Sequence, residues 1–368
     1  MSGSSLVLVA VGWLSGAVLL WRVPTVPPAL ASGSRTEAGG GVSIVIPARN
    51  EARSLPRLLS SLTQQVEPPL EVLVVDDGST DATAEVARAG GATVLAAPTP
   101  PDGWLGKPWA CHTGTSAVAG ERILFLDADT WLAPDALRRL LMVHDAVGRG
   151  SLLSVQPYHV VERPYEVLSA VCNIVPILAS GIAAVRPRRS ARVAFGPCLL
   201  TSAADLEAVG GFAAVAGEVV EDAALAQAYA GTGRRVHCLV GGDAVRFRMY
   251  PDGLRSLIEG WTKNLAGGAA RVAWLPLVGA ISWVSAGLAI IVGVELSPAF
   301  GVAYAAFAAQ LWWMLRRLGS FHPLTAVLFP VPLMAFTLLF LRSLATRALR
   351  RPVRWRGRAI DVRRGAIR

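Results

Sequence analysis

Three short runs rich in Val and Ile, each closing on polar or acidic residues, constrain this chain more than any other feature: 42–51 (VSIVIPARNE), 71–77 (EVLVVDD) and 122–129 (RILFLDAD). Continuous apolar runs of this length suit strands covered on both faces, and the stretches 51–65, 80–90 and 134–147 between and after them carry helical spacing. Strand–helix alternation of this kind predicts an α/β fold with a parallel sheet over 42–250. Open sheets of that class bind ligands beyond the carboxyl ends of their strands, so the residues that end these runs are the first functional candidates.

The first strand is expected to stop at Pro47 and to offer Arg49, Asn50 and Glu51 at its polar end. After the second, Asp76 and Asp77 can accept hydrogen bonds from a base N–H and ribose hydroxyls, Gly78 permits a tight turn, and Asp81 can cap the helix that follows. After the third, Asp127 and Asp129 are alternate residues of an extended chain and point the same way. Two such carboxylates suit a hard divalent ion, Mg²⁺ or Mn²⁺, that bridges diphosphate oxygens. A lone Asp-Gly turn is only a turn and a lone DxD arises by chance; their succession at strand ends is what gives them weight. Further on, Glu221 and Asp222 precede a helical run, where a carboxylate can take a proton from an acceptor hydroxyl while also complementing the helix dipole.

Composition then divides the chain. With 53% hydrophobic and 17% charged residues it is too apolar for an ordinary soluble protein, which carries about 25% charged residues. The apolar excess is concentrated in 5–21, 272–294, 297–315 and 323–341, each about long enough to cross a bilayer core of roughly 30 Å. Residues 5–21 lack the basic start of a signal peptide, so 1–26 reads as an uncleaved anchor, followed by a linker at 27–41. Residues 167–185 are also apolar and read as an interfacial or re-entrant segment, with a buried helix as the equal alternative. Residues 251–271 read as an interfacial amphipathic helix, 272–342 as transmembrane helices and 343–368 as a basic tail. The net charge of +9 resides in that tail, because 342–368 hold ten arginines against Asp361. This argues against nucleic acid as a partner and for anionic lipid headgroups, to which Arg186, Arg188, Arg189 and Arg192 could add. Three C-terminal crossings would place the tail on the opposite side from the catalytic region, against the positive-inside rule. Pro330 and Pro332 make 323–341 the weakest straight span, and a re-entrant hairpin there would reconcile the count. The four cysteines have no metal-ligand spacing.

Of 35 basic residues only Lys107 and Lys263 are lysines, and both lie in Trp/Gly-rich contexts, 103–109 (GWLGKPW) and 260–264 (GWTKN). Their survival in an arginine-biased chain points to phosphate contacts. The first is not a P-loop, since Pro101 and Pro108 replace the required Gly and Ser/Thr, and the chain has no GxGxxG, HExxH or GxSxG.

IVIPARNE, DDGSTD, DAD and ED, in that order between apolar segments, resemble family 2 membrane glycosyltransferases with a GT-A domain (nucleotide-diphospho-sugar transferase, Rossmann-like). The two Gly-Trp motifs are most similar to the carotenoid- (diaponeurosporenoate-) and hopanoid-associated members. The resemblance implies an inverting transfer of sugar from a nucleotide-sugar donor, UDP-linked, to a membrane lipid acceptor, a carotenoid or other isoprenoid. It implies donor binding by Pro47, Arg49, Asn50, Glu51, Asp76, Asp77, Lys107, Asp127 and Trp261, and a divalent metal on Asp127 and Asp129. Asp222 would be the base beside Glu221, and Lys263 would face the departing diphosphate. Phe195, Gly196, Pro197 and Cys198 would line the acceptor side. The QxxRW motif of polysaccharide synthases is absent, with Trp261 and Lys263 in its place. The competing expectations are a polyprenyl-phosphate or polysaccharide glycosyltransferase and a non-catalytic nucleotide-binding scaffold. Cytoplasmic donors imply a multi-pass protein of the cell membrane with its catalytic domain in the cytoplasm.

Overall fold

The computed structural model describes residues 3–28, 41–186, 190–293 and 298–360. It divides into a catalytic unit (Thr25–Tyr158, Arg189–Arg248 and Arg356–Arg368) and a helical unit (Met1–Pro24, His159–Arg188 and Met249–Trp355). The expected residues Arg188 and Arg189, most of the linker (29–40) and the tail end (361–368) lie outside the described residues.

The strands in chain order are β1 (Val42–Ala48), β2 (Glu71–Asp76), β3 (Thr93–Ala96), β4 (Arg122–Leu126), β5 (Thr130–Leu132), β6 (Ser151–Gln156), β7 (Tyr158–His159), β8 (Cys198–Ser202), β9 (Arg235–Val240) and β10 (Val245–Phe247). Seven of them form one sheet in the order β3-β2-β1-β4-β8-β6-β9. Every pairing is parallel except those of β8, which runs against both β4 and β6. Ile44, Ile46, Val74, Leu124 and Leu126 are buried in a core shared with Leu55, Leu58, Leu59 and Leu62 of the helix Leu55–Thr63. The chain winds outward from β1 through β2 to β3, then returns to place β4 on the other side of β1. The crevice at that reversal, beyond the ends of β1 and β4, is where sheets of this class bind ligands.

Pro47 does not end β1. The strand runs to Ala48, pairing Pro47 with Val75 of β2, while its ladder with β4 ends at Val45. The proline's missing N–H therefore falls where β1 has no partner on the β4 side. Upstream, Val26 donates to the Val240 carbonyl, and Arg139 donates to the carbonyls of Val26 and Pro27 and pairs with Asp243.

In the helical unit, the helix Gly3–Leu19 lies against Trp274–Val292 at glycine contact points. A Cβ on Gly12 would stand 2.3 Å from the Ser282 carbonyl oxygen, and one on Gly16 would stand 2.3 Å from the Trp283 ring. Small residues four apart permit this approach. Trp283, mid-run in the sequence, is a packing residue: fully buried, it stacks on Phe307 and donates to Gln310. Two helices, Trp274–Val292 and Pro330–Ala348, are long and apolar enough to cross a membrane. Residues 323–341 do not form a single helix. Pro330 opens its helix and Pro332 lies within the first turn, where a missing N–H leaves no hydrogen bond unmade. Residues 167–185 form part of a 3₁₀ turn, Pro164–Ser169, and a buried helix, Ala170–Ser180. That helix has 11 residues; at about 1.5 Å per residue it is too short to cross. The helix Leu254–Ala269 buries Leu257, Gly260, Trp261 and Leu265.

Candidate active site

The ends of β1 and β2 are knitted together. Arg49 donates to the carbonyls of Asp77 and Gly78, the latter at 2.9 Å. Asn50 takes φ +53°, a left-handed conformation that asparagine tolerates, and this lets both its polar ends serve the turn. Its N–H donates to Ser79 Oγ (2.9 Å) and its Oδ1 accepts from the Thr80 N–H (2.8 Å). Glu51 N–H donates to Thr83 Oγ1. Asp76 accepts from the Ser79 N–H, so one of its oxygens shapes the turn, while Asp77 is buried. Asp81 accepts from the Thr83 N–H at the start of the next helix, as its capping role requires.

The end of β4 meets two later segments. The Asp127 N–H donates to the Pro197 carbonyl, and the Asp127 carboxylate takes the Lys107 ammonium at 2.7 Å. The same ammonium lies 3.0 Å from Glu221. Burial works against the Lys107 charge, but Asp127 and Glu221 outweigh it and hold the group well above an ordinary lysine. Asp129 goes the other way. Burial, then the charges of Asp127 and Glu51, push its carboxyl well above the usual range.

Asp222 is the most strongly positioned carboxylate. Its Oδ2 accepts from the Gly196 N–H at 2.6 Å and its Oδ1 from the Ala223 N–H at 2.7 Å. Gly196 is required for this approach, since a Cβ there would lie 3.0 Å from Asp222 Oδ2. Burial and the neighbouring Glu221 charge raise the Asp222 pKa to about 7, against the opposing pull of Lys107 and the two N–H donors. A carboxylate tuned close to neutrality is suited to general-base work.

The structure therefore brings together Arg49, Asn50, Glu51, Asp76 and Asp77 in one loop pair, and Lys107, Asp127, Gly196, Pro197, Glu221 and Asp222 in another cluster of the same unit. Phe195 and Cys198 are core residues behind that cluster: Phe195 exchanges hydrogen bonds with Ser154, and Cys198 opens β8 fully buried. Trp261 and Lys263 belong to the helical unit. The Trp261 indole is buried, donates to Ser169 Oγ at 2.9 Å and meets Tyr250 edge-on, while Lys263 is half-buried. Sequence reasoning missed Arg356, whose guanidinium lies 2.8 Å from Glu51; nothing in the sequence separates it from the other tail arginines.

Among the described residues no three His, Cys, Asp or Glu side chains form a ready-made metal centre. The Asp127–Asp129 pair nevertheless fits a hard divalent ion. The crowding that keeps Asp129 protonated is relieved by a cation, and diphosphate oxygens would supply the remaining ligands.

Comparison with known proteins agrees with this geometry. The model of the family described as glycosyl transferase family 2 matches residues 43–207. Over 332 residues, 87% of this chain and 88% of the relative, the sequence is 36% identical to 4,4'-diaponeurosporenoate glycosyltransferase of Staphylococcus aureus strain USA300, and equally so to that of strain MRSA252. The fold resembles that of a Pyrobaculum calidifontis mannosyltransferase solved with GDP-Man and Mn²⁺, at a TM-score of 0.57 and 18% identity, covering 92% of this chain and 97% of that one. The chain belongs to glycosyl transferase family 2 and is a glycosyltransferase with a GT-A-type α/β fold.

Proposed function

We propose that the enzyme transfers a sugar, with inversion, from a nucleotide-sugar, UDP-linked as in the family reading, to a membrane lipid of the isoprenoid type, a carotenoid. The observation that carries this reading is Asp222, fixed by two backbone N–H groups with a pKa of about 7, beside the Lys107–Asp127–Glu221 cluster. The carbon skeleton named for the S. aureus relative, a carotenoid acid, supports the acceptor class.

In this mechanism Asp222 takes the proton from an acceptor O–H as that oxygen forms its bond to the anomeric carbon. The bond from that carbon to the diphosphate oxygen breaks, and the nucleoside diphosphate leaves with the electron pair. An acceptor that arrives as a carboxylate has no proton to give, and Asp222 then orients it. A divalent ion held by Asp127 and Asp129 would neutralise charge on the diphosphate. Lys107 keeps Asp127 and Glu221 in place and adds fixed positive charge beside the donor. The Arg49–Glu51 and Asp76–Asp77 loops hold the nucleoside. Lys263 is assigned to the departing diphosphate on its Gly-Trp-Thr-Lys motif, and Trp261 supports that helix from within. Phe195 and Cys198 back the Gly196–Pro197 loop rather than touching acceptor. The apolar helices Trp274–Val292 and Pro330–Ala348 anchor the enzyme in the cell membrane, where its acceptor is dissolved and its catalytic unit meets cytoplasmic donor. A lipid cannot leave the bilayer cheaply, since each buried CH₂ contributes about 0.8 kcal/mol.

Asp222→Asn should abolish transfer while leaving donor affinity, measured by calorimetry, within about twofold. Loss of both together would remove Asp222 from the role of base.

A further inference from the structure

Arg356 stands far from every family motif, beyond the helix that ends at Ala348 and outside the matched residues 43–207. Together with Gly357 it forms the two-residue turn between the short strands Val353–Trp355 and Arg358–Ile360. Both turn residues have positive φ, +47° and +79°. Two-residue turns of this hand favour Asn or Asp at the first position, because a longer side chain there is strained. An arginine held in that conformation directs attention to its side chain.

That side chain is largely buried. Its Nη2 lies 2.8 Å from Glu51 Oε1, with the two side chains only 17% and 15% exposed. Its Nη1 donates to the Asn50 carbonyl at 3.1 Å, and its own carbonyl accepts from Arg49 Nε at 3.1 Å. Arg356 thus touches Arg49, Asn50 and Glu51 in succession, and Arg49 in turn holds the Asp77–Gly78 carbonyls. One guanidinium sets the shape of the whole loop at the end of β1, and its positive charge also reaches Asp129.

We propose that Arg356 is a donor-site positioning residue: the tip of the C-terminal turn completes the nucleotide-sugar site by fixing the Arg49–Glu51 loop beside the diphosphate-binding carboxylates. The inference rests on the donor-site reading given above. Its role is binding, so its removal raises the donor KM and weakens nucleoside diphosphate affinity, with a smaller effect on kcat and none on the acceptor KM.

The test uses full-length, detergent-solubilised protein titrated calorimetrically with UDP and with GDP in Mn²⁺, followed by donor and acceptor kinetics. Arg356→Asn suits the positive φ and keeps the turn while deleting the guanidinium; Arg356→Lys restores charge without the two-pronged geometry. Loss of charge-assisted hydrogen bonds of this kind predicts at least about a tenfold weaker nucleoside diphosphate affinity for Arg356→Asn. A matching rise in donor KM, an unchanged thermal midpoint and partial recovery in Arg356→Lys are expected with it. Wild-type affinity and donor KM in Arg356→Asn would overturn the proposal, as would an effect confined to the acceptor KM. Failure of the wild-type protein to bind any nucleoside diphosphate with metal is a different result: it removes the donor-site reading itself, and this inference with it.

Discussion

The position of Asp222 yields a pH dependence that is specific in sign and in origin. Its carboxyl is raised from an ordinary 3.8 to about 7, so the basic form that accepts the proton is a minority species in mild acid. One titrating group at that value is about one-tenth ionised one pH unit below it and about nine-tenths ionised one unit above. For a hydroxyl acceptor, kcat/KM should therefore rise about tenfold between about pH 6 and pH 8. The neighbours provide the control, because they act on Asp222 with opposite signs. Glu221 raises its pKa and Lys107 lowers it, so Glu221→Gln should move the acid limb to lower pH and Lys107→Met should move it to higher pH. Stability follows the same linkage. The folded state binds a proton that the unfolded chain releases near 3.8, so this group's contribution to stability is fully present below that value and is lost as pH rises through about 7. The assay is initial-rate transfer at subsaturating substrate over pH 5 to 9, with metal held constant. A profile flat across that range with a hydroxyl acceptor, or both variants shifting the limb the same way, would refute the assignment.

Other consequences can be measured separately. Gly196→Ala places a Cβ 3.0 Å from Asp222 Oδ2; kcat should fall about tenfold or more while nucleoside diphosphate affinity is kept, because a displaced base loses its charge-assisted N–H contact. The Arg356–Glu51 ion pair at 2.8 Å requires both residues to lie on one face of any membrane, and hence an even number of crossings between them. A cysteine introduced at the exposed Arg88 and a tag placed after Arg368 should be reached by impermeant reagents from the same side; labelling from opposite sides would show an odd count.

Much of the fold was legible because it depends on patterns that few architectures satisfy. The runs at 42–48, 71–76 and 122–126 became β1, β2 and β4, and their polar ends gathered at the crevice that the strand order dictates. Asp127 and Lys107 were each singled out, yet their ion pair was not, since spacing does not say which strand end a distant helix start will meet. The Gly196 contact with Asp222 was equally hidden, although both residues had been chosen. The strand β8 enters the sheet in reverse, a choice made by tertiary pairing with β4 and β6 rather than by its own sequence. The prolines at 330 and 332 misled because position decides their effect: inside a helix they break it, and in the first turn they begin it. Arg356 left no signal, since a side chain that acts by tertiary approach looks like its neighbours in a basic tail.

The central claim is sugar transfer to a lipid at the Asp127–Asp129–Asp222 site. Its most direct test offers purified full-length protein a panel of radiolabelled nucleotide-sugars and total bacterial lipid extract, with and without Mn²⁺ or Mg²⁺. The account predicts a metal-dependent labelled lipid that is lost in Asp129→Ala. Label appearing only in polymer or water-soluble product, or lipid labelling unchanged in Asp129→Ala, would contradict it.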